Sequence, residues 1–248
     1  SNYSSEILID WVKQGGTLIA NNRSAKLLAS SNEFGNVQLL QQSFDNSKSY
    51  NIDLMREIYS LDNNINKNDV NSNRVNFKID YPWESSDRTY SKDELEIRDK
   101  WQSLFMPSGS MLAGRVDQKS WITFGSEDFI PILYANNPIL MTGGNAEAPI
   151  RIGELIQNNE IKKNRAINWS QIPKGYDLNV RLSGLVWPEA SQRIANSAYI
   201  TREKIGKGQV ILFSGEPNFR GSTRGTNRLW LNAVIYGSGL GTETLINQ

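Results

Sequence analysis

Gly206-Lys207-Gly208-Gln209-Val210-Ile211-Leu212-Phe213-Ser214-Gly215-Glu216-Pro217-Asn218-Phe219-Arg220-Gly221, continued by Gly225-Thr226-Asn227-Arg228-Leu229-Trp230-Leu231-Asn232-Ala233, decides the fold class. Val210 to Phe213 is an apolar run without polar alternation, as expected of a strand covered on both faces. The segment after it is rich in Gly, Ser, Pro and Arg. Thr226 is placed to cap a helix whose apolar positions Leu229, Trp230, Ala233 and Val234 recur at helical spacing, with Gly237 as its stop. Strand, polar loop, helix is the repeating unit of open α/β sheets, and ligands usually sit at that loop.

Toward the other end, Ser4 and Ser5 are candidate caps for a helix carrying Ile7, Leu8, Trp11 and Val12 on one face. Gly15-Gly16 ends it, and Thr17–Ala20 reads as a buried strand. A doubly wound domain normally opens on a strand, so the expectation is that earlier strand-helix units lie upstream and the domain is N-terminally truncated. The alternative is a helix that merely precedes the first strand. Ser91-Lys92-Asp93-Glu94 is a capping box, and its helix is expected to bury Ile97, Trp101, Leu104 and Phe105 before Pro107. Further strands are expected at Met111–Val116, Ile139–Thr142, Leu178–Leu182, Ala198–Arg202 and Gln209–Phe213.

Nine of the fifteen residues from Asp62 to Asn76 are Asn or Asp, which marks a solvated loop or insertion. Asp62-x-Asn64-x-Asn66 resembles the start of a calcium loop, but Lys67 stands where Gly is required and Asn73 where the bidentate Glu belongs. The expected architecture is a single domain over residues 1–248, an α/β three-layer fold with a mostly parallel sheet. Thr17–Ala20 and Gln209–Phe213 are expected as central strands, with helices on both faces.

The chemistry is bounded by an absence. The chain has no His and no Cys, which removes a Ser-His-Asp triad, a Cys-His pair and a His-containing metal site. Charge is nearly balanced, 27 Lys and Arg against 26 Asp and Glu, so no electrostatic footprint for nucleic acid appears. No apolar run approaches the roughly 18 residues needed to span a bilayer. Gly237-Ser238-Gly239-Leu240-Gly241 follows a helix and precedes none, which reads as a flexible tail rather than a dinucleotide fingerprint. Gly143-Gly144 reads as a turn. No Gly-x-Ser-x-Gly elbow exists, and no paired-carboxylate motif supports a glycosidase. Of seven Trp, Trp11, Trp101 and Trp230 fall on expected core faces. Trp83, Trp121, Trp169 and Trp187 remain for exposure.

The candidate binding or docking loop is Ser214 to Gly225, with Glu216, Arg220, Arg224 and Thr226 as its site residues. The charged three either bind an anion beside the helix N-terminus or form ion pairs that shape the loop. Arg220 is expected to be partly buried and to hold the loop through its planar fork. Arg224, beside glycines, is expected to be exposed.

Trp11-Val12-Lys13-Gln14-Gly15-Gly16-Thr17-Leu18-Ile19-Ala20, Leu182-Ser183-Gly184, Gly206 through Phe213, Pro217-Asn218-Phe219-Arg220-Gly221 and Gly225-Thr226 to Asn232-Ala233 together resemble one known domain. It is the C-terminal, class I glutamine-amidotransferase-like (flavodoxin-like) domain of bacterial zinc carboxypeptidases of the carboxypeptidase A type. Pro107-Ser108-Gly109-Ser110-Met111-Leu112, Val116-Asp117 and Pro131-Ile132-Leu133-Tyr134 resemble that family's middle portion. Glu216 stands where the family often has Arg, Arg224 where it often has His, and Lys119-Ser120-Trp121 where a His-Pro pair is common. After the Thr17–Ala20 strand, where class I glutamine amidotransferases place a nucleophilic Cys on a sharp turn, this chain has Asn21, Asn22, Arg23 and Ser24. The resemblance implies a non-catalytic accessory domain of a periplasmic or secreted metallocarboxypeptidase, with no cofactor in this chain. Zinc and the catalytic Glu would belong to an upstream peptidase domain, the expected partner, with a peptide or cell-wall peptide as substrate. The alternative is a stand-alone carbohydrate- or peptide-binding module.

Overall fold

Val210 to Phe213 does form a strand buried on both sides, and the fold is assembled around it. The computed structural model describes residues 2–61, 90–221 and 223–243. Its first part runs α1 (Asn2–Lys13), β1 (Thr17–Asn21), α2 (Asn22–Ser31), β2 (Gln38–Leu39) and α3 (Ser47–Leu61). Then follow α4 (Lys92–Gln102), β3 (Ser108–Val116), β4 (Phe129–Ala135), β5 (Leu140–Met141) and β6 (Glu147–Ile152). Four short strands come next: β7 (Glu154–Gln157), β8 (Arg165–Ile167), β9 (Ser170–Ile172) and β10 (Tyr176–Asn179). The chain closes with β11 (Arg181–Ser183), α5 (Pro188–Ile194), β12 (Ala198–Ile205), β13 (Gly208–Phe213) and α6 (Arg224–Tyr236). The Asn-rich stretch 62–76, the calcium-like pattern within it and Trp83 lie outside the described residues.

Every residue of β13 is buried, and its side chains sort by the two-residue period of a strand. Val210 and Leu212 join a core with Ile9 and Val12 of α1 and Ala25 and Ala29 of α2. Ile211 and Phe213 join a second core with Leu229 and Ala233 of α6. Helices therefore cover both faces, in an α/β arrangement of three layers. On the α6 side, Arg151 of β6 anchors α3 by donating through Nε to Glu57 at 2.7 and 2.8 Å. Arg115 of β3 lies close by, and burial pushes its guanidinium down to about 10, with Glu57 opposing that shift and Arg151 adding to it.

The sheet is mixed, not mostly parallel. Its nine strands follow the order β1-β13-β12-β6-β3-β11, with β4 on β3 and the β2–β5 pair beside β12. Among the described residues only β1 and β13 run parallel; the other pairs of this sheet are antiparallel. The cause is local. β12 and β13 are joined by Gly206-Lys207 alone, with Ile205 opposite Gly208, and Gly206 has φ 60°. A two-residue connection makes a hairpin, whereas parallel neighbours need a crossover of about a dozen residues. β13 is central as expected, but among the described residues β1 pairs with β13 alone and stands at the sheet edge.

The expected strands at 111–116, 198–202 and 209–213 are present and extended, 139–142 shrinks to β5, and 178–182 divides between β10 and β11. β4 and β6 carry Pro131 and Pro149 and are not among the expected strands. Among the described residues β4 pairs with β3 only, an edge position where a missing N–H is tolerated. β6 lies inside the sheet, and its register with β12 shifts between Ala198 and Ile200 and again between Ile200 and Arg202, the irregularity a proline requires there.

The helices depart from their expected faces. α1 already runs from Asn2, so neither Ser4 nor Ser5 caps it. Ile9 and Val12 point inward, while Ile7 and Trp11 are about half exposed. α4 has the capping box, Ser91 Oγ accepting from Glu94 N and the Glu94 carboxylate from Ser91 N. Its buried residues, however, are Leu95, Asp99 and Gln102, and Ile97, Trp101 and Leu104 are exposed. The inward stripe is polar because Arg193 of α5 is also buried and donates to Asp99 at 2.7 Å. Gln102 meanwhile accepts from Asn168 and donates to Gln192. Trp101 and Trp187 instead flank Phe105 edge-on at the surface. Trp169 is buried and Trp121 packs on the core, the reverse of the expectation for both. The Gly237–Gly241 run is no loose tail: Gln209 donates to Gly237 O and Leu240 O, and Glu243 N donates to Lys207 O.

Candidate functional site: a crevice at the carboxyl ends of β1 and β13

Because β1 and β13 are parallel, their carboxyl ends lie side by side, Asn21 opposite Phe213. Each then leaves the sheet into a connection that faces the other. After β1 the chain turns directly into α2 at Asn22, which has φ 45°, a conformation Asn tolerates better than most side chains. After β13 comes the loop carrying Glu216, whose carboxylate accepts a hydrogen bond from Asn22 Nδ2 at 3.4 Å. The β4–β5 connection supplies the third wall. A cavity of about 250 Å³ is lined by Asn22, Leu133, Ala135, Asn137, Glu216 and Phe219. A second, of about 450 Å³, shares Asn22, Ala135 and Asn137 and extends to Arg23, Lys26 and Gln41. Open α/β sheets bind ligands in this place.

Charged groups line both cavities. α2 has no acidic residue in its first turn, and its cap residue Asn21 makes no side-chain cap bond. The Glu216 carboxylate, bonded to Asn22 at the first position of that helix, is the anionic group beside its positive end. Arg23 and Lys26 are exposed on the same turn. The apolar Leu133 and Phe219 line the smaller cavity with Glu216. Asn137, shared by both cavities, is 6 % exposed. Its Oδ1 accepts from Ala135 N and its carbonyl from the Tyr134 hydroxyl, a phenol that burial pushes well above its usual range. Asn137 Nδ2 is buried with no hydrogen-bond partner among the described residues, and so is Ser214 Oγ at the end of β13. Buried polar atoms without partners are rare enough to call for an explanation.

The four loop residues singled out from the sequence divide. Glu216 reaches the crevice. Arg224 is exposed on the first turn of α6, as expected. Arg220 is not partly buried and makes no side-chain hydrogen bond or ion pair among the described residues: it is exposed at φ 50°, its guanidinium 5.1 Å from the Phe219 ring centre. Thr226 is not the cap, since the helix begins earlier and Thr223 occupies that position. Buried in the first turn, Thr226 donates to Pro217 O at 2.6 Å beside the Thr223 hydroxyl. That bond pins the loop to the helix and leaves Arg220 no structural task. Thr226→Val should lower stability by about 1–3 kcal/mol by stranding the Pro217 carbonyl. Arg220→Ala should stay within about 0.5 kcal/mol. Urea melts of the two variants check both, and the reverse ranking would refute this account.

In the sequence Asn22 stands out only as the occupant of a position. Nothing there singles out Asn137; the Asn136-Asn137-Pro138 run signals a turn but not its place beside β1 and β13. Among the described residues no group of three His, Cys, Asp or Glu is placed to hold a metal ion. No helix of the described residues is long and apolar enough to cross a membrane. Comparison of the chain with protein-family models, with curated proteins and with solved structures finds no match.

Proposed function

We propose that this chain is a non-catalytic accessory domain of a zinc carboxypeptidase-like hydrolase, periplasmic or secreted, built on the class I glutamine amidotransferase plan. The observation that carries the reading is Asn22. It sits at a sharp strand-to-helix turn with φ 45°, at the mouth of a crevice, where those amidotransferases hold their nucleophile. An amide there is no nucleophile, and a chain without His or Cys has no imidazole or thiol to replace it. The crevice geometry is thus compatible with holding a ligand rather than cleaving one. The outer edge of β1 is unpaired among the described residues, which leaves room for a preceding strand of the same plan. Zinc and the peptidase chemistry then belong to the upstream partner domain, and the crevice or the loop around Glu216 and Arg224 meets substrate or that domain.

The second reading, a stand-alone peptide- or carbohydrate-binding module, is favoured by the same crevice and needs no upstream domain. The coding frame and one assay separate them. We expect an upstream His-x-x-Glu segment with a later His, and release of C-terminal residues from peptides by the zinc-loaded parent but not by this chain alone. Absence of that segment would select the stand-alone module. Turnover with one tightly held zinc in this chain alone would overturn both.

A further inference from the structure

We infer that a second copy of this chain docks on the outward face of α4, the two helices running antiparallel about a two-fold axis. The inference stands apart from the accessory reading and from the crevice. It starts from the reversed polarity of α4. The inner face of that helix carries Leu95, Asp99 and Gln102, whereas the outward face carries Ile97, Trp101 and Leu104, spaced i, i+4 and i+7 as in a helix-packing stripe. Phe105 joins the stripe to the segment before α5, its ring centre 5.1 Å from that of Trp101 and 6.4 Å from that of Trp187. Ile97, Trp101, Leu104, Leu185 and Trp187 are each between 50 % and 73 % exposed. At about 100–200 Å² per side chain, they present on the order of 500 Å² of apolar surface. That is the upper part of the range for the largest patch on a monomer, about 300–600 Å². It is also more than half of the roughly 800 Å² that each partner contributes to a standard interface.

The charges identify the partner. Asp93, Glu96 and Lys100, spaced i, i+3 and i+7, run along one flank of the stripe, acid before base. Lys100 is exposed and makes no ion pair among the described residues. Glu96 has Lys92 at 4.0 Å, and that lysine is already held by Asp45 at 2.7 Å. A parallel copy would set Glu96 against Glu96 and Lys100 against Lys100. An antiparallel copy, its axis level with Asp99, brings Asp93 and Glu96 of each chain to Lys100 of the other. Ile97 then meets Trp101 across the axis, and the helix dipoles oppose each other favourably. One surface serves both chains, as an isologous interface requires, and tryptophan is a frequent anchor at the centre of such contacts. The other exposed apolar stripe, Leu231, Val234 and Ile235 of α6, lacks this property. α6 carries Arg224 and Arg228 and no acidic residue, so a second copy there would meet like charge.

The test is sedimentation equilibrium of the chain from low micromolar to several hundred micromolar concentration. A reversible dimer with a dissociation constant in the micromolar range is expected. Trp101→Ala removes an anchor from both halves and should raise that constant by about thirtyfold or more. Glu96→Lys and Lys100→Glu, each alone, should raise it by about tenfold or more, because each sets like charges together twice. The two reversals combined should return it to within about threefold of the parent value. All of these side chains are exposed, so melting curves at the lowest concentration should not change. A chain that stays monomeric throughout would overturn the inference. So would a dimer that survives Trp101→Ala but is lost with Leu231→Glu, which would move the contact to α6. A combined reversal no better than the single ones would overturn the antiparallel arrangement. Trp101-dependent flotation of a monomeric chain with phosphatidylglycerol vesicles would make this face a membrane contact instead.

Discussion

Asp99→Ala is expected to cost about 3–5 kcal/mol of folding stability, the range for breaking a buried ion pair from one side. Asp99 and Arg193 side chains are only 8 % and 7 % exposed and meet at 2.7 Å. Removing the carboxylate leaves a guanidinium that cannot shed its proton inside the wall joining α4 and α5. Gln41, which also donates to Asp99, loses an acceptor at the same time. The large figure measures the stranded charge rather than the net worth of the pair. The double variant Asp99→Ala with Arg193→Met should therefore recover most of the loss. Urea denaturation of the single and double variants decides the matter. A single-variant loss below about 1 kcal/mol, as for an exposed pair, would mean that solvent reaches Arg193.

Gly208→Ala should be the next most damaging change, at about 3 kcal/mol, the upper part of the range for overpacking. A methyl group there would press into the carbonyl oxygens of Val12 and Gly16 and come within 2.9 Å of Gly16 N. All three atoms are backbone, so no side chain can swing away. They belong to the α1–β1 turn, which is itself bonded to the hairpin through Lys207 N to Lys13 O and Gln209 N to Gly16 O. Relief would require lifting that turn off the sheet. Gly239→Ala is the matching control. Its added methyl would meet only Tyr236 O at 3.9 Å, so its melting curve should shift by no more than about 0.5 kcal/mol. Equal effects of the two substitutions would show that helix and hairpin are not in close backbone contact.

Periodicity reveals those elements whose burial is purely apolar. Val210–Phe213 and the strand ahead of Asn22 are recognisable in this way, whereas the helix after Ser91 is announced by its capping box. Connection length is the signal that periodicity leaves out. Residues 205–208 hold a two-residue hairpin turn with a glycine at φ 60°, and so short a link permits only antiparallel neighbours in β12 and β13. Pro131 and Pro149 hide two strands that an edge position and a register shift accommodate. The inner face of α4 is invisible for another reason. Its buried stripe is made of Asp99 and Gln102, which looks like a solvated face until Arg193, 94 residues away, is known to oppose it. The candidate site suffers similarly. Glu216 can be named from its loop, but Asn22 and Asn137 lie 115 positions apart by their numbering, and it takes the pairing of β1 with β13 together with that of β5 with β12 to make them neighbours. Arg220 departs from its expected role because a buried hydroxyl at Thr226 already performs the task assigned to its planar fork.

The parallel pair also dictates an order of events during synthesis. Thr17 and Gln209, opposite each other in the register, are 192 residues apart along the chain. A ribosome adding about 5–20 residues per second leaves β1 without its partner β13 for about ten seconds or more. Closing so long a loop is entropically slow to be rewarded. The middle hairpins, β3 with β4 and β12 with β13, have near partners and need no such wait. Helix α1 and strand β1 thus dock after β13 is made, although they precede it by most of this sequence. Until then the unpaired flank of β13 and the apolar sides of α1 and α2 stay open, which makes that interval the time when a nascent chain most needs protection from its neighbours.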